Sequence, residues 1–323
     1  MMGNLSANVK LRFSSEHWRK SWKIIIERTF ALLGGLELCY SVACHFYLDE
    51  ALPKLPIWFG VLMIVVLFIC AFILTSPLSK ISHKIDGHDL RVTVKIGNVL
   101  NDKGDIVLSC NTAFDTCESG HLSSDCLRAQ YQKRFYSGNL QSLDDAIESA
   151  LRDERFEEVT PVFNGAKKKR YPVGTIAEVT PNKNSRTYFV AFSEMSSKGR
   201  KSTTIKNFLR GLNCLWERVN NSVGNKRIKM PVLCSGESNL RKSREDIIKN
   251  IVFSYVNYAR AYKISRSLTI FILPDDLSDS NLDMYSLDKF VELICAGDLM
   301  SISEISDDAD STADEKSGTM KEV

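Results

Sequence analysis

KIGNVLNDKGDIVLSCNTAFDT, residues 95–116, is the stretch whose reading decides the fold. Two short apolar runs, Val92 to Leu100 and Ile106 to Cys110, are divided by Asn101-Asp102-Lys103-Gly104-Asp105. Amide, acid and glycine packed that closely punctuate the chain, so the pattern predicts strand, tight turn, strand. The second run stops at Asn111 and opens into Thr112 and Ala113, then Phe114, Asp115 and Thr116. Open α/β sheets hold ligands beyond strand ends of this kind.

Working outward from it, α/β patterning continues to about Cys295. Helices are expected from Leu122 to Tyr136, capped by Ser123 or Ser124, and from Leu140 to Asp153, capped by Ser142. Val159 to Phe163 and Tyr171 to Thr180 read as paired strands across the basic turn 164–170. Thr187 to Phe192 is a strand. Thr203 to Val219 is an amphipathic helix with Phe208, Leu212, Leu215 and Trp216 at helical spacing. Ile228 to Leu233 and Leu268 to Leu273 are strands flanking a helix from Arg244 to Ala261. Strands alternating with helices imply a mixed sheet covered on both faces, a three-layer α/β/α domain over 91–298.

The N-terminal part is of another kind. Residues 1–23 are basic and carry Trp18 and Trp22, a composition suited to a headgroup surface. Residues 24–48 hold the apolar run Thr29 to Leu48, long enough to span hydrocarbon as a helix. Glu37 lies near its middle, where a charge costs about 2.5–3.5 kcal/mol, so it should face a partner helix, a pore or water. Gly34-Gly35 would let such helices approach closely. Ile57 to Thr75 has no charge at all and predicts a second transmembrane helix. Lys20, Lys23, Lys80 and Lys84 flank the pair outside, against Lys54 in the connection, which places both termini in the cytoplasm. The long polar leader argues against a cleaved signal peptide. Residues 76–90 read as a linker.

Composition narrows the class further. The net charge of +3 over 323 residues is too small to imply nucleic acid. Residues 301–323 carry seven acids against two lysines, so 299–323 is expected to be an acidic disordered tail. Nine cysteines without paired spacing fit reduced thiols, and the five scattered histidines suggest no metal site. No P-loop and no nucleophile elbow is present. Lys167 to Arg170 reads as a solvated hairpin tip, and Lys198, Arg200, Lys201, Lys206 and Arg210 as a solvated helix start, with a membrane-proximal basic surface as the alternative.

A second motif is Met230-Pro231-Val232-Leu233-Cys234-Ser235-Gly236-Glu237, followed by Ser238. A strand ending in a Ser-Gly turn before a helix is able to aim backbone N–H groups at one anion, although the same sequence also serves as a plain turn.

Together, Ile96-Gly97-Asn98-Val99 and Ser109-Cys110-Asn111-Thr112 resemble the ligand-binding start of a macro domain, the module that binds ADP-ribose and its relatives. With the N-terminal hairpin, the layout is similar to that of the transmembrane macro-domain effectors of Thoeris-type antiphage systems. The resemblance implies a macro-like domain in which Asn111 contacts the distal ribose, with Thr112 and Ala113 beside it. Asn98 stands where an aspartate usually reads the adenine amino group, and its carbonyl accepts the same bond without the charge. Phe114 stacks on the base, walls the cleft or fills the core. Asp115 accepts from ribose or caps the turn. Cys234, Ser235, Gly236, Glu237 and Ser238 match the diphosphate loop, with Cys234 where another glycine is common. Taken alone, Asn111 equally caps its own strand end.

The expected function is a membrane-anchored antiviral effector. It senses an ADP-ribose-derived nucleotide, made from NAD by a TIR-domain enzyme, and disrupts the membrane as a homo-oligomer. The location implied is the cell inner membrane, two-pass. No cofactor, metal, catalytic residue or nucleic acid is implied. The alternatives are a membrane-tethered ADP-ribosyl hydrolase and an adaptor with a vestigial cleft.

Overall fold

The computed structural model describes residues 15–47, 57–75, 78–115, 127–160, 167–182, 185–195, 201–222, 227–234, 240–262, 264–273 and 282–297. The chain divides into two compact units, Met1–Ser79 and Lys80–Val323.

The first unit is a pair of helices, α1 (Ser15–Tyr47) and α2 (Ile57–Leu74). Ser21, Ile25, Leu67, Ala71 and Thr75 are buried, and Arg28 donates from Nη1 to the Leu74 carbonyl at 3.0 Å and to Thr75 Oγ1 at 3.1 Å. That guanidinium satisfies a helix-end carbonyl that has no partner within α2. The basic residues from 15 to 23 are part of α1 rather than a separate segment. Among the described residues no helix is long and apolar enough to cross a membrane. α1 carries Lys23, Glu27, Arg28 and Glu37 between residues 21 and 38, whereas α2 is an uncharged helix of 18 residues, a rise of about 27 Å. A Cβ on Gly34 or Gly35 would meet nothing within 4 Å among the described residues, so neither glycine is a close approach there.

The second unit is built on an eight-stranded sheet. Its strands are β1 (Lys80–Lys84), β2 (Arg91–Ile96), β3 (Asp105–Asn111), β6 (Ile176–Asn182), β7 (Ser185–Met195), β8 (Lys201–Ser202), β9 (Arg227–Pro231) and β10 (Ser267–Ile272). The order is β1-β2-β10-β9-β3-β7-β6, with β8 beside β7. β2, β10, β9, β3 and β7 run parallel, while β1, β6 and β8 pair antiparallel. A small separate ladder joins β4 (Glu157–Glu158) to β5 (Lys169–Arg170).

Helices α3 (Leu127–Tyr136) and α4 (Leu140–Ala150) cover one face over β3, β7 and β6. There Tyr131, Leu143, Ile147, Ile106, Leu108, Phe189 and Ala177 form a buried cluster. The amphipathic α5 (Ile205–Asn221), α6 (Arg244–Ala261) and α7 (Met284–Ala296) cover the other face. Gly211 explains how close α5 lies, since a Cβ there would stand 2.5 Å from the Phe192 ring. The expected mixed sheet with helices on both faces is therefore present, and α6 has the bounds read from sequence.

Several expectations are corrected. The two opening runs are strands but not neighbours, because β10 and β9 stand between them. The first ends at Ile96, because the Asn98 side chain accepts from Leu100 N and turns residues 99–101 into a 3₁₀ turn. The strand read from Tyr171 to Thr180 is broken by Pro172 and by Gly174, which has φ +94°. Its remaining half, β6, pairs with β7, and across the basic turn the described pairing is that of β4 with β5. Asn139, not Ser142, caps α4, accepting from Ser142 N at 3.1 Å. Residues 80–84 of the expected linker are the edge strand β1, with Ile81 and Ile85 buried. The expected helix start at 122–126 and the acidic tail lie outside the described residues.

Candidate functional site

The carboxyl ends of the five parallel strands point the same way, so the described chain leaving β2, β3 and β9 forms one crest. Asn98 follows β2, Asn111 ends β3 with residues 112–115 after it, and Val232–Cys234 follow β9. A β-bulge helps to shape the middle of it. Cys110 pairs with Ala191 but Asn111 with Ser193, so Phe192 is passed over and turns into the core under α5.

The loop after β3 is held by Asn111. Its Oδ1 accepts from Ala113 N at 3.1 Å and Asp115 N at 3.2 Å, and its Nδ2 donates to Asp115 Oδ2 at 3.0 Å. The loop backbone is tied outward as well, with Thr112 N donating to Ser193 O and Tyr171 N donating to Thr112 O. Asn111 is only 4% exposed, so its amide shapes the loop in this structure. Of the two roles read from sequence, the local cap is the one its hydrogen bonds display.

Asp115 is buried and also accepts from Lys167 N at 3.3 Å on Oδ1, while its carbonyl accepts from Arg128 Nη1 at 2.7 Å. Arg128 further donates to Ser109 O. Lys167 in turn pairs with Asp144 at 2.9 Å, each side chain 20% exposed. Lys167 is thus a brace between α4 and the crest, while Lys168 and Lys169 are exposed beside the β4–β5 ladder, as the reading of a solvated hairpin expects.

Phe114 and Cys234 have φ of +51° and +57°, the left-handed region. Both are buried, and Phe114 meets Tyr171 edge-on at 5.5 Å. Of the three roles left open for Phe114, the core is the one observed, with the ring buried in the cluster under α3 and α4. Cys234 keeps the conformation that a glycine adopts readily at that point, with the side chain sealed inside. Asn98 bonds outward to α3, its Nδ2 donating to Gln130 Oε1 at 2.8 Å.

Asn98, Asn111, Thr112, Ala113, Phe114, Asp115 and Cys234 therefore lie along the crest. Ser235, Gly236, Glu237 and Ser238 lie outside the described residues. Sequence reading missed Arg128, Gln130 and Lys167, which bond to the crest from 13 to 52 residues away. Only the repeated charge at 167–170 gave any local signal.

No cluster of His, Cys, Asp and Glu able to hold a metal occurs among the described residues. The arrangement is a loop rim over a parallel sheet, its polar side chains bonded to one another and to α3.

The family model described as "Thoeris protein ThsA, Macro domain" matches residues 92–273. The chain is 25% identical over 178 residues to "Thoeris protein ThsA" of Bacillus amyloliquefaciens strain Y2. That alignment takes in 53% of this chain and 57% of the relative, so the chain spans little more than half of the curated relative's length. An Oceanobacillus iheyensis macrodomain mutant with ADPR superposes with TM-score 0.43 at 10% identity, covering 62% of this chain and 94% of that one. The Oceanobacillus iheyensis macrodomain with ADP gives 0.39, also at 10% identity, covering 62% and 92%.

Proposed function

The chain belongs to the Thoeris protein ThsA macro-domain family, and from that membership we propose that it is a nucleotide-sensing effector of antiphage defence. The observation that carries this reading is the span of the match. Residues 92–273 run from β2 through β10 and include the whole described crest. The ligand we propose is an ADP-ribose-derived nucleotide made from NAD by a TIR-domain partner. It would lie over the loop that Asn111 holds, with ribose hydroxyls near Asp115 and phosphate near residues 234–238. Asn111 acts as a positioning residue, because its hydrogen-bonding atoms already serve Ala113 and Asp115.

The first unit we propose as the membrane anchor, a two-pass hairpin in the inner membrane with both termini cytoplasmic. Supporting this, Leu62, Ile64, Val65, Val66, Ile69, Ile73 and Leu74 of α2 are exposed, as are Phe30, Leu36 and Leu38 of α1. So much apolar surface on a two-helix unit calls for a partner or a bilayer. A rise of about 27 Å against about 30 Å of hydrocarbon is a mismatch that a bilayer absorbs by thinning. Self-association through Gly34 and Gly35 would build the oligomer whose rearrangement disturbs the membrane. A ligand drives that change only through tighter binding to the active arrangement.

Calorimetry of the full chain in detergent with ADP-ribose, NAD and their cyclised or amino-acid derivatives tests the reading, with product analysis and dye release from liposomes alongside. Binding without conversion, followed by leakage, is the expected result. Conversion of the ligand would make the protein a hydrolase, and silence across the panel would overturn ligand sensing.

A further inference from the structure

The face of the sheet that carries α3 and α4 changes character across its width. Over β3, β7 and β6 it is apolar and covered. Over β9, β10, β2 and β1 the register lines up polar side chains instead. One row is Lys84, Arg91, Ser267 and Arg227; the next is Ser82, Thr93, Thr269 and Lys229. Lys80 and Lys95 continue the pattern on β1 and β2, while Phe271 and Pro231 end it on β10 and β9. Alternation explains it, since RVTVKI, SLTIFI and RIKMP send their aliphatic residues to the helix-covered face and the others to this one.

These strands and the turn at Asp102-Lys103 enclose an open groove of about 700 Å³. Eight cations line it against two carboxylates, Asp89 and Asp102. Asp89 pairs with Lys84 at 3.1 Å and Asp102 with Lys95 at 2.6 Å. Arg227 and Arg266 pair with no carboxylate among the described residues. At the floor Lys229 is 3% exposed and donates to the Asp102 carbonyl. A buried ammonium and guanidinium groups without carboxylate partners repel one another in one concavity, and such a concavity focuses a field that attracts anions.

We propose that this groove is a second ligand site, separate from the crest, for a soluble small molecule bearing clustered phosphates. Arg91, Arg227 and Arg266 stand at the amino ends of β2, β9 and β10, whereas the crest lies beyond the carboxyl ends of the same strands. The volume suits a small ligand. The lining holds no aromatic side chain on which bases would stack, which disfavours single-stranded nucleic acid. A flat bilayer engages projecting cations better than a buried lysine at the floor of a groove. Arg227 and Arg266 supply forked donors to phosphate oxygens, and Lys229 supplies a point charge beneath them.

The test is calorimetry of the full chain in detergent with sodium tripolyphosphate as probe. Saturable binding that weakens with salt is expected. The paired substitution Arg227→Ser and Arg266→Ser, in exposed rim positions, should weaken it by about tenfold or more and leave ADP-ribose binding as in the parent. Lys229→Met should weaken it as well, and the rim pair decides the matter if that variant does not fold. Equal binding by parent and rim variant overturns the site. Arginine-dependent capture of phosphatidylserine vesicles, with no response to tripolyphosphate, would assign the groove to a bilayer and overturn it. Tripolyphosphate binding that emerges only after the acids of residues 301–323 are replaced by amides would assign the groove to that tail and overturn the proposal too.

Discussion

Asn111 and Asp115 close a ring at the crest. Nδ2 of the first donates to Oδ2 of the second at 3.0 Å, while Oδ1 of Asn111 takes the Ala113 and Asp115 amides. Asn111→Ala would strip three partners from a buried loop. A loss of about 1–3 kcal/mol in stability is expected, with ligand affinity falling in parallel. Thermal unfolding and calorimetry on one preparation check it. Lost affinity with an unchanged unfolding temperature would instead make Asn111 a direct ligand contact.

Phe114 fills core space while holding a left-handed backbone. Phe114→Ala should cost about 3–5 kcal/mol through the cavity it leaves beside Tyr171. Denaturant titration of the full chain in detergent measures it. A variant with parental stability but weak nucleotide binding would return the ring to a stacking role.

Gly104 has φ +130°, and a Cβ there would meet the Arg227 carbonyl at 2.5 Å. Neither the strain nor the contact is relieved by moving a flexible side chain. Gly104→Ala should therefore destabilise by about 1–3 kcal/mol, readable as a lower unfolding temperature.

Tyr131 donates to Thr187 Oγ1 at 2.8 Å, and both residues are fully buried. Tyr131→Phe leaves that hydroxyl unpartnered and should cost about 1–3 kcal/mol. Nucleotide binding should be unchanged, because the pair lies under α3 rather than at the crest.

Alkali should weaken the second unit. Burial pushes the Cys295 thiol up to about 11 and the Tyr255 hydroxyl up to about 12. The unfolded chain releases these protons at lower pH, so their contribution is full below about pH 9 and is lost as pH rises through the folded values. Lys229 works the other way, since burial lowers it to about 8 and its penalty is relieved between there and about 10.5. Cys295→Ala should flatten the decline from pH 9 to 11 by about 2–3 kcal/mol. Unfolding curves across that range decide it.

What sequence made legible was the element type wherever periodicity was strong. Arg244–Ala261 and the strands around Leu108, Val190 and Leu268 all came through. Pairing did not, because β2 and β3 are adjacent in sequence yet have two strands between them in the sheet. A short polar strand such as KISHK has too little alternation to stand out from a linker, and only its place beside β2 gives it meaning. At the crest, the loop residues were visible from their types. Their inward bonding was not, since it depends on Arg128 and Lys167 arriving from elsewhere.

The strand order also sets a timetable. β2 finds its parallel partner only in β10, whose first residue follows Ile96 by 171 positions. At about 5–20 residues per second, a ribosome takes roughly 9–34 s to supply it. Through that interval the apolar side of Arg91–Ile96 emerges with β1 alone beside it. The nascent chain thus carries an open sheet edge that chaperones must shield, and any truncation before Ser267 makes that exposure permanent.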